Sequence, residues 1–306
     1  MENVRRDGSV RRGGSDDRRT AFGRGGANGT GETMNASVVL GRVKSAVHTE
    51  RVDRALDRLG VRPVLAEAYR AAILATTDTR TLEVAGVEAE FHLNSTGEYR
   101  DLYAFDERSL AADLLSQLEA DDVVYDVGAN IGIYACLAAA VADTVVAFEP
   151  HPENAATLAE NVALNDASVT VSRYALANGT GTADLAITLD GVGSAGHTLL
   201  TAANPDSRTV TVETRRGDDL IADGETPPPT VLKIDAEGAE LSVLRGLREA
   251  VKRPECRLLY CEVHESRLEL DGGSVSAVRE LLRDAGFDVS ERTAATGQTF
   301  LVGRKP

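Results

Sequence analysis

The sequence has no tryptophan, two methionines, three cysteines and only four lysines (Lys44, Lys233, Lys252, Lys305) in 306 residues. Three cysteines cannot build a disulfide framework in a chain of this length. Cys256 and Cys261, five apart on an expected strand, are predicted to point to opposite faces. The longest nearly unbroken apolar run, Ile131 to Ala142, has 12 residues and is too short to span a bilayer. Basic residues are also scarce: 33 Lys and Arg against 48 Asp and Glu leave a net charge of −15, which argues against a general nucleic-acid binder. These absences predict a soluble, reduced, cytoplasmic protein.

The acidic excess, with arginine carrying nearly all of the positive charge, reads as a surface adapted to high salt, as in a halophilic archaeon. Screening there relieves self-repulsion that would otherwise oppose a compact state.

Residues 1–33 hold seven arginines, much glycine and almost no apolar side chains, the composition of a disordered tail. No apolar segment follows its Arg pairs, so a twin-arginine export signal does not fit. Amphipathic sequence begins just after Met34, so that either Met34 is the biological start or the preceding tail is a dispensable disordered arm. Residues 34–103 are expected to form a helical and hairpin extension. Val39, Val43 and Val47, then Val52, Leu56 and Leu59, then Leu65, Ala68 and Ala72 recur at helical spacing, with Pro63 opening the last helix. Thr81 to Val84 and Glu88 to Leu93 alternate about Ala85-Gly86 as a hairpin. Phe105 to Leu118 reads as a further helix, and the region carries no chemical constellation.

Beyond Asp121, strands alternate with helices. Val123 to Val127, Thr144 to Glu149, Val169 to Arg173, Val231 to Asp235 and Arg257 to Val263 read as strands. Helices are expected over Ile131 to Val141, Pro152 to Leu164, Ala239 to Val251 and Ser274 to Ala285. Two hairpins complete the pattern, one near 183–214 and one over Phe287 to Val302. This is the signature of a mostly parallel α/β sheet covered on both faces, in which ligands sit outside the carboxyl ends of the strands.

Two strand ends point to a nucleoside. Asp126-Val-Gly128-Ala-Asn130-Ile-Gly132 offers a tight turn and the free N–H groups of a following helix. Glu149, 23 residues beyond Asp126, ends the next strand, where a carboxylate suits two ribose hydroxyls. The spacing departs from the G-x-G-x-x-G dinucleotide fingerprint, and Asp126 would repel a diphosphate while suiting an ammonium. A ligand with adenosine, an ammonium and a carboxylate but no phosphate is S-adenosylmethionine.

Val124-Tyr-Asp-Val-Gly-Ala-Asn-Ile-Gly132, Phe148-Glu-Pro-His-Pro-Glu-Asn154, Lys233-Ile-Asp-Ala-Glu-Gly-Ala-Glu240 and Cys261-Glu-Val-His264 resemble the FkbM-family methyltransferases. The resemblance covers about Ala104 to Val302. It implies a Rossmann-like class I methyltransferase domain over 104–306, with a seven-stranded sheet of order 3-2-1-4-5-7-6. It further implies S-adenosylmethionine as donor and O-methylation of a sugar, glycan, lipid or natural-product hydroxyl. The expected donor-binding residues are Asp126, Gly128, Asn130, Gly132, Glu149 and Asn154. No Asp follows the third strand to hold an adenine amino group; Tyr174-Ala175 stands there instead.

At the fourth strand, Lys233, Asp235 and Glu237 alternate onto one face if the strand continues, and Glu262 and His264 do the same at the fifth. Asp235, Glu237 and His264 are the expected catalytic residues. His264 is either a proton acceptor for the hydroxyl or simply exposed at a strand end. Glu240 is either functional or a carboxylate favouring its helix dipole. No metal is expected, although Asp235, Glu237 and Glu262 offer an alternative cation site. An RNA or other N-methyltransferase is disfavoured, because Asn-Pro-Pro-Tyr is missing at the fourth strand and the surface is acidic. A non-catalytic module that binds the donor is the other alternative.

Overall fold

The computed structural model describes residues 61–187, 198–199, 208–270, 272–294 and 297–306. The expected tail, the Met34 start and the helices carrying Val39 to Leu59 lie outside the described residues.

Helix α1 (Arg62–Thr76) opens on Pro63, whose fixed φ suits a first turn. Its buried stripe differs from the expected one. Ile73 is buried and Tyr69 packs beside it, whereas Leu65 is 50% exposed and Ala68 also faces outward. Strands β1 (Thr79–Val84) and β2 (Val87–His92) pair antiparallel about a turn in which Ala85 and Gly86 both take positive φ. Helix α2 (Thr96–Tyr103) follows; the sequence reading did not anticipate it. Ser95 and Glu98 close a capping box at its start. Helix α3 (Arg108–Leu115) is shorter than expected.

The remaining elements are β3 (Val123–Val127), α4 (Ile133–Ala139), β4 (Thr144–Phe148), α5 (Pro152–Leu164) and β5 (Val169–Ser172). Then come β6 (Ala175–Leu176), β7 (Gly181–Ala186), β8 (Thr198–Leu199), β9 (Thr209–Arg215) and α6 (Gly217–Ala222). The chain continues through β10 (Val231–Ile234), α7 (Glu240–Gly246), α8 (Arg248–Lys252), β11 (Leu258–Val263) and α9 (Glu265–Leu270). It ends with α10 (Val275–Asp284), β12 (Asp288–Thr293) and β13 (Thr299–Arg304). The single helix expected over 239–251 is broken at Leu247. Just before the break, a Cβ at Gly246 would lie 2.1 Å from the Ala177 carbonyl oxygen, so the helix end is pressed against the chain after β6.

The large sheet runs β12-β13-β11-β10-β3-β4-β5. Pairs among β11, β10, β3, β4 and β5 are parallel, and β13 joins antiparallel to β11 and β12. Numbering its seven strands in chain order and reading from the β5 edge gives 3-2-1-4-5-7-6, the expected order. A smaller sheet, β6-β9-β7-β8, flanks it where only a hairpin was expected.

Period-two alternation builds the layers. Val124, Val145, Val231, Leu258 and Tyr260 face a core shared with α3, α4, α5 and the β1–β2 hairpin. Tyr125, Val146, Leu232, Leu259 and Cys261 face the core under α7, α8 and α10. Cys256 joins that same core rather than the opposite one, because the chain turns before β11 begins at Leu258 and the alternation does not reach back to it. The hairpin is tied down by two side-chain amides of α5 and its cap. The Glu90 N–H donates to Asn165 Oδ1 at 2.7 Å and the His92 N–H to Asn161 Oδ1 at 2.9 Å.

Candidate functional site

The alternation that fills the cores leaves a polar pair inside them. Asp126 on β3 and Lys233 on β10 are register partners in adjacent strands, both almost fully buried. Lys233 Nζ lies 3.5 Å from Asp126 Oδ1 and 3.6 Å from Asp235 Oδ2, and it donates to the Gly128 carbonyl at 3.4 Å. Burial would lower the lysine's pKa, but Asp126, Asp235, Glu107 and Glu262 outweigh it and hold the ammonium charged. Burial raises Asp126, an effect that Lys233 opposes.

Past Val127 the chain must leave the sheet sharply. Gly128, Asn130 and Gly132 take φ of 77°, 51° and 90°, a left-handed region that Gly adopts freely and Asn tolerates. The Gly128 and Ala129 N–H groups donate to the Phe148 carbonyl, pinning the loop against the end of β4. Glu149 closes the arrangement. Its Oε2 accepts the Asn130 N–H and its Oε1 the His151 N–H, each at 2.8 Å. Two lone-pair sites on that carboxylate remain for a ligand. Burial lifts Glu149 to about 7 against the pull of those two N–H groups. Burial keeps His151 neutral, and its Nδ1 accepts the Asn154 N–H at the start of α5.

These elements frame an open cleft of about 650 Å³. Gly128, Asn130, Glu149, Asn154, Asp235 and Glu237 line it, together with an apolar wall that includes Phe148, Tyr174, Leu176 and Leu185. Asp126, Gly132 and His264 do not line it. Asp126 sits behind the loop with Lys233, and Gly132 backs onto α5, where a Cβ would lie 2.3 Å from Leu158 Cδ1. A carboxylate with vacant acceptor sites beside an apolar slot, with no basic side chain at the cleft wall among the described residues, fits a nucleoside without phosphates. S-adenosylmethionine meets that description.

Strand β10 ends at Ile234, so Asp235 and Glu237 are placed by a turn rather than by continued strand alternation; Glu237 takes φ of 51°. They nevertheless meet the end of β11. His264 Nε2 lies 3.1 Å from Glu237, 3.4 Å from Glu262 and 3.8 Å from Asp235, while Nδ1 bonds Glu240 Oε1 at 2.7 Å. Glu240 is fully buried at the first position of α7 and also accepts the Gly238 N–H. It is therefore both a helix-start carboxylate and an anchor for His264. Burial alone would lower His264, but its bonds to Glu240 and Glu262 and the charge of Asp235 lift it to about 10. At neutral pH it is an imidazolium with no lone pair to accept a proton. Asp235, Glu237 and His264 bring ligand atoms within 4.8 Å of one another. The Arg267 guanidinium also bonds Glu237.

A second open cleft, of about 840 Å³, shares Gly128, Asn130 and Asp235 with the first. Asp101 and Glu107, on and beside helices α2 and α3, face it, and sequence reasoning missed both. Asn130 Nδ2 donates to Asp101 Oδ2 at 3.3 Å and the Tyr134 hydroxyl to Glu107 Oε2 at 2.8 Å. Burial raises Asp101 to about 6 and Glu107 to about 7. In the sequence these residues look like ordinary helix-flanking acids; only packing against the loop after β3 gives them a site.

The chain was compared with known proteins against this geometry. A family model described as "Methyltransferase FkbM domain" matches residues 126–289. The hexuronic acid methyltransferase AglP of Haloferax volcanii is 33% identical over 227 residues, covering 73% of this chain and 87% of that protein. The 31-O-demethyl-FK506 methyltransferase FkbM of Streptomyces tacrolimicus is 30% identical over 207 residues, covering 56% of this chain and 75% of that protein. A crystal structure of methyltransferase FkbM from Methylobacillus flagellatus KT is 19% identical with a TM-score of 0.44, covering 69% of this chain and 56% of that one. With a domain match over more than half of its length and a relative one-third identical across most of its own, the chain belongs to the FkbM methyltransferase family and is an S-adenosylmethionine-dependent methyltransferase.

Proposed function

We propose that the protein transfers the methyl group to a hydroxyl oxygen of a sugar acceptor, of the hexuronic acid class named for its Haloferax relative. The observation that carries the reading is the position of Asp235. It lines both clefts, and its buried Oδ1 has no hydrogen-bond partner among the described residues. S-adenosylmethionine supplies an electrophilic methyl on a sulfonium. Glu149 holds the ribose hydroxyls through its vacant acceptor sites, and Asn154 and the loop from Gly128 to Gly132 shape the cleft around the donor. Asp126 acts from behind, fixing Lys233 and through it the Gly128 carbonyl.

Alignment of oxygen, carbon and sulfur is the main requirement of an in-line displacement. The acceptor oxygen bonds to the methyl carbon as the carbon–sulfur bond breaks, and the hydroxyl proton passes to Asp235. His264 positions Asp235 and Glu237, and its fixed positive charge steadies the carboxylates around it. The net charge of −15 supports a sugar or small-molecule acceptor over RNA. Cys136, Cys256 and Cys261 are all free and buried, which supports a reducing, cytoplasmic setting. No helix among the described residues is long and apolar enough to cross a membrane.

The test is release of S-adenosylhomocysteine on incubation with hexuronosides, neutral glycosides and transfer RNA. Turnover with a glycoside supports the reading. Turnover with RNA alone replaces it, and donor binding without turnover on any acceptor favours a non-catalytic module.

A further inference from the structure

A second cleft lies beside the donor cleft and shares Gly128, Asn130 and Asp235 with it. Residues between Arg100 and Glu107, before the segment that matches the family model, and Gln298, after it, supply part of its wall; the loop after β3, the start of α4, Lys233 and Asp235 within the segment supply the rest. The cleft opens onto the first at Asp235, where the reacting oxygen belongs. Its chemistry has two halves. Asp101, Glu107 and Asp235 present carboxylates, which accept hydrogen bonds from several hydroxyls at once. Phe105 and Tyr134, edge to face at 5.9 Å, present carbon surface beside them. A ring with hydroxyls on its rim and C–H bonds on its faces meets both halves. Four acidic residues (Asp101, Asp106, Glu107, Asp235) against Arg100 and Lys233 make the interior a poor place for an anion. Lys233 is engaged by Asp126 and Asp235, and Arg100, nearly half exposed, pairs with Asp101.

We propose that the second cleft is the acceptor subsite and binds a pyranose ring. Glu107 grips ring hydroxyls next to the one that faces Asp235, and any acid group of the sugar turns outward, away from these carboxylates. The proposal rests on the methyltransferase reading of the first cleft, because Asp235 orients the acceptor only if the donor lies beside it. Tyr134 holds Glu107 in place, and partial neutralisation of Glu107 near pH 7 lowers the cost of burying it beside Asp235.

The experiment is saturation-transfer NMR on the full chain with S-adenosylhomocysteine. Methyl β-D-glucopyranoside and methyl β-D-glucopyranosiduronic acid serve as millimolar probes, and calorimetry of S-adenosylhomocysteine runs in parallel. Wild type is expected to saturate the ring protons of both sugars. Glu107→Gln should weaken sugar binding about tenfold, the scale of a lost hydrogen bond to a charged group. Phe105→Leu provides a second variant should the first fail to fold, and it should reduce the signal without moving nucleoside affinity. Sugar signals unchanged in Glu107→Gln and Phe105→Leu, or absent from wild type that binds S-adenosylhomocysteine, overturn the proposal. Failure of wild type to bind S-adenosylhomocysteine overturns the donor reading instead.

Discussion

Glu149 is asked to do two jobs with one carboxylate, joining the loop after β3 to the start of α5 and leaving lone pairs for a ligand. Removing it breaks both. Glu149→Ala is expected to weaken S-adenosylhomocysteine binding about 10- to 100-fold in calorimetry, the range of one or two hydrogen bonds to a charged group. Equal affinity in the two proteins would remove Glu149 from the donor site. Asp235→Asn keeps the shape and loses the proton acceptor. It should lower kcat by about 10²- to 10⁴-fold while donor affinity stays within about twofold. Titration adds a third expectation. Glu149 and Glu107, near 7 in the folded protein against 4.5 ordinarily, keep protons that an unfolded chain has already lost in that interval. His264, near 10 against 6.5, does the same at higher pH. Each contribution is complete below the unfolded pKa and disappears as pH rises through the folded one. His151, lowered by burial, opposes the trend only around its own titration. The ligand-free protein should therefore melt at progressively lower temperature from about pH 5 to pH 10, and a flat or rising profile would contradict these environments.

At the scale of elements, the site depends on how closely the loop after β3 approaches the end of β10. A Cβ built on Gly128 would lie 1.8 Å from the Asp235 carbonyl oxygen, and its φ of 77° already disfavours a side chain. Gly128→Ala is expected to cost about 2 kcal/mol or more, from overpacking and the left-handed backbone together. It should also abolish S-adenosylhomocysteine binding, because the loop must retreat from Asp235. Thermal melts and calorimetry on the same preparation check both; an unshifted midpoint with full binding would show that the loop has room to spare. The helices that escaped sequence reading are α2, α6 and α9, all short. Six to eight residues carry too few apolar positions to display a helical period, and tertiary packing decides their existence. The reverse error, one helix expected where α7 and α8 stand, has the same origin. The local pattern is helical throughout, and the chain breaks at Leu247, next to the point where Gly246 lies close against the backbone at Ala177.

For the whole molecule, the dominant quantity is a net charge of −15 on a chain with four lysines. Self-repulsion of that size opposes the compact state at low ionic strength, and at about 1 M salt screening confines it to within about 3 Å. The melting temperature in about 2 M KCl should exceed that in 0.1 M by about 5 °C or more, an increment of one to two kcal/mol for a domain of this size. A salt-independent midpoint would mark the acidity as unrelated to high-salt adaptation.

The strand order was implied only by the family resemblance, but the parallel sheet, the ligand-binding strand ends and the donor class were legible along the chain. Each rests on local information: alternation sets which side chains face a layer, and short spacings such as Asp126 to Gly132 set where the backbone must turn. The convergence of Asp235 and Glu237 with His264 was legible for the same reason, since adjacent parallel strands end side by side. Tertiary structure alone decided that His264 lies among carboxylates that raise its pKa, that Asp126 faces Lys233 rather than the cleft, and that Asp101 and Glu107 line the second cleft. Those outcomes depend on burial and on through-space charge between residues far apart in the chain. Sequence spacing has no measure of either.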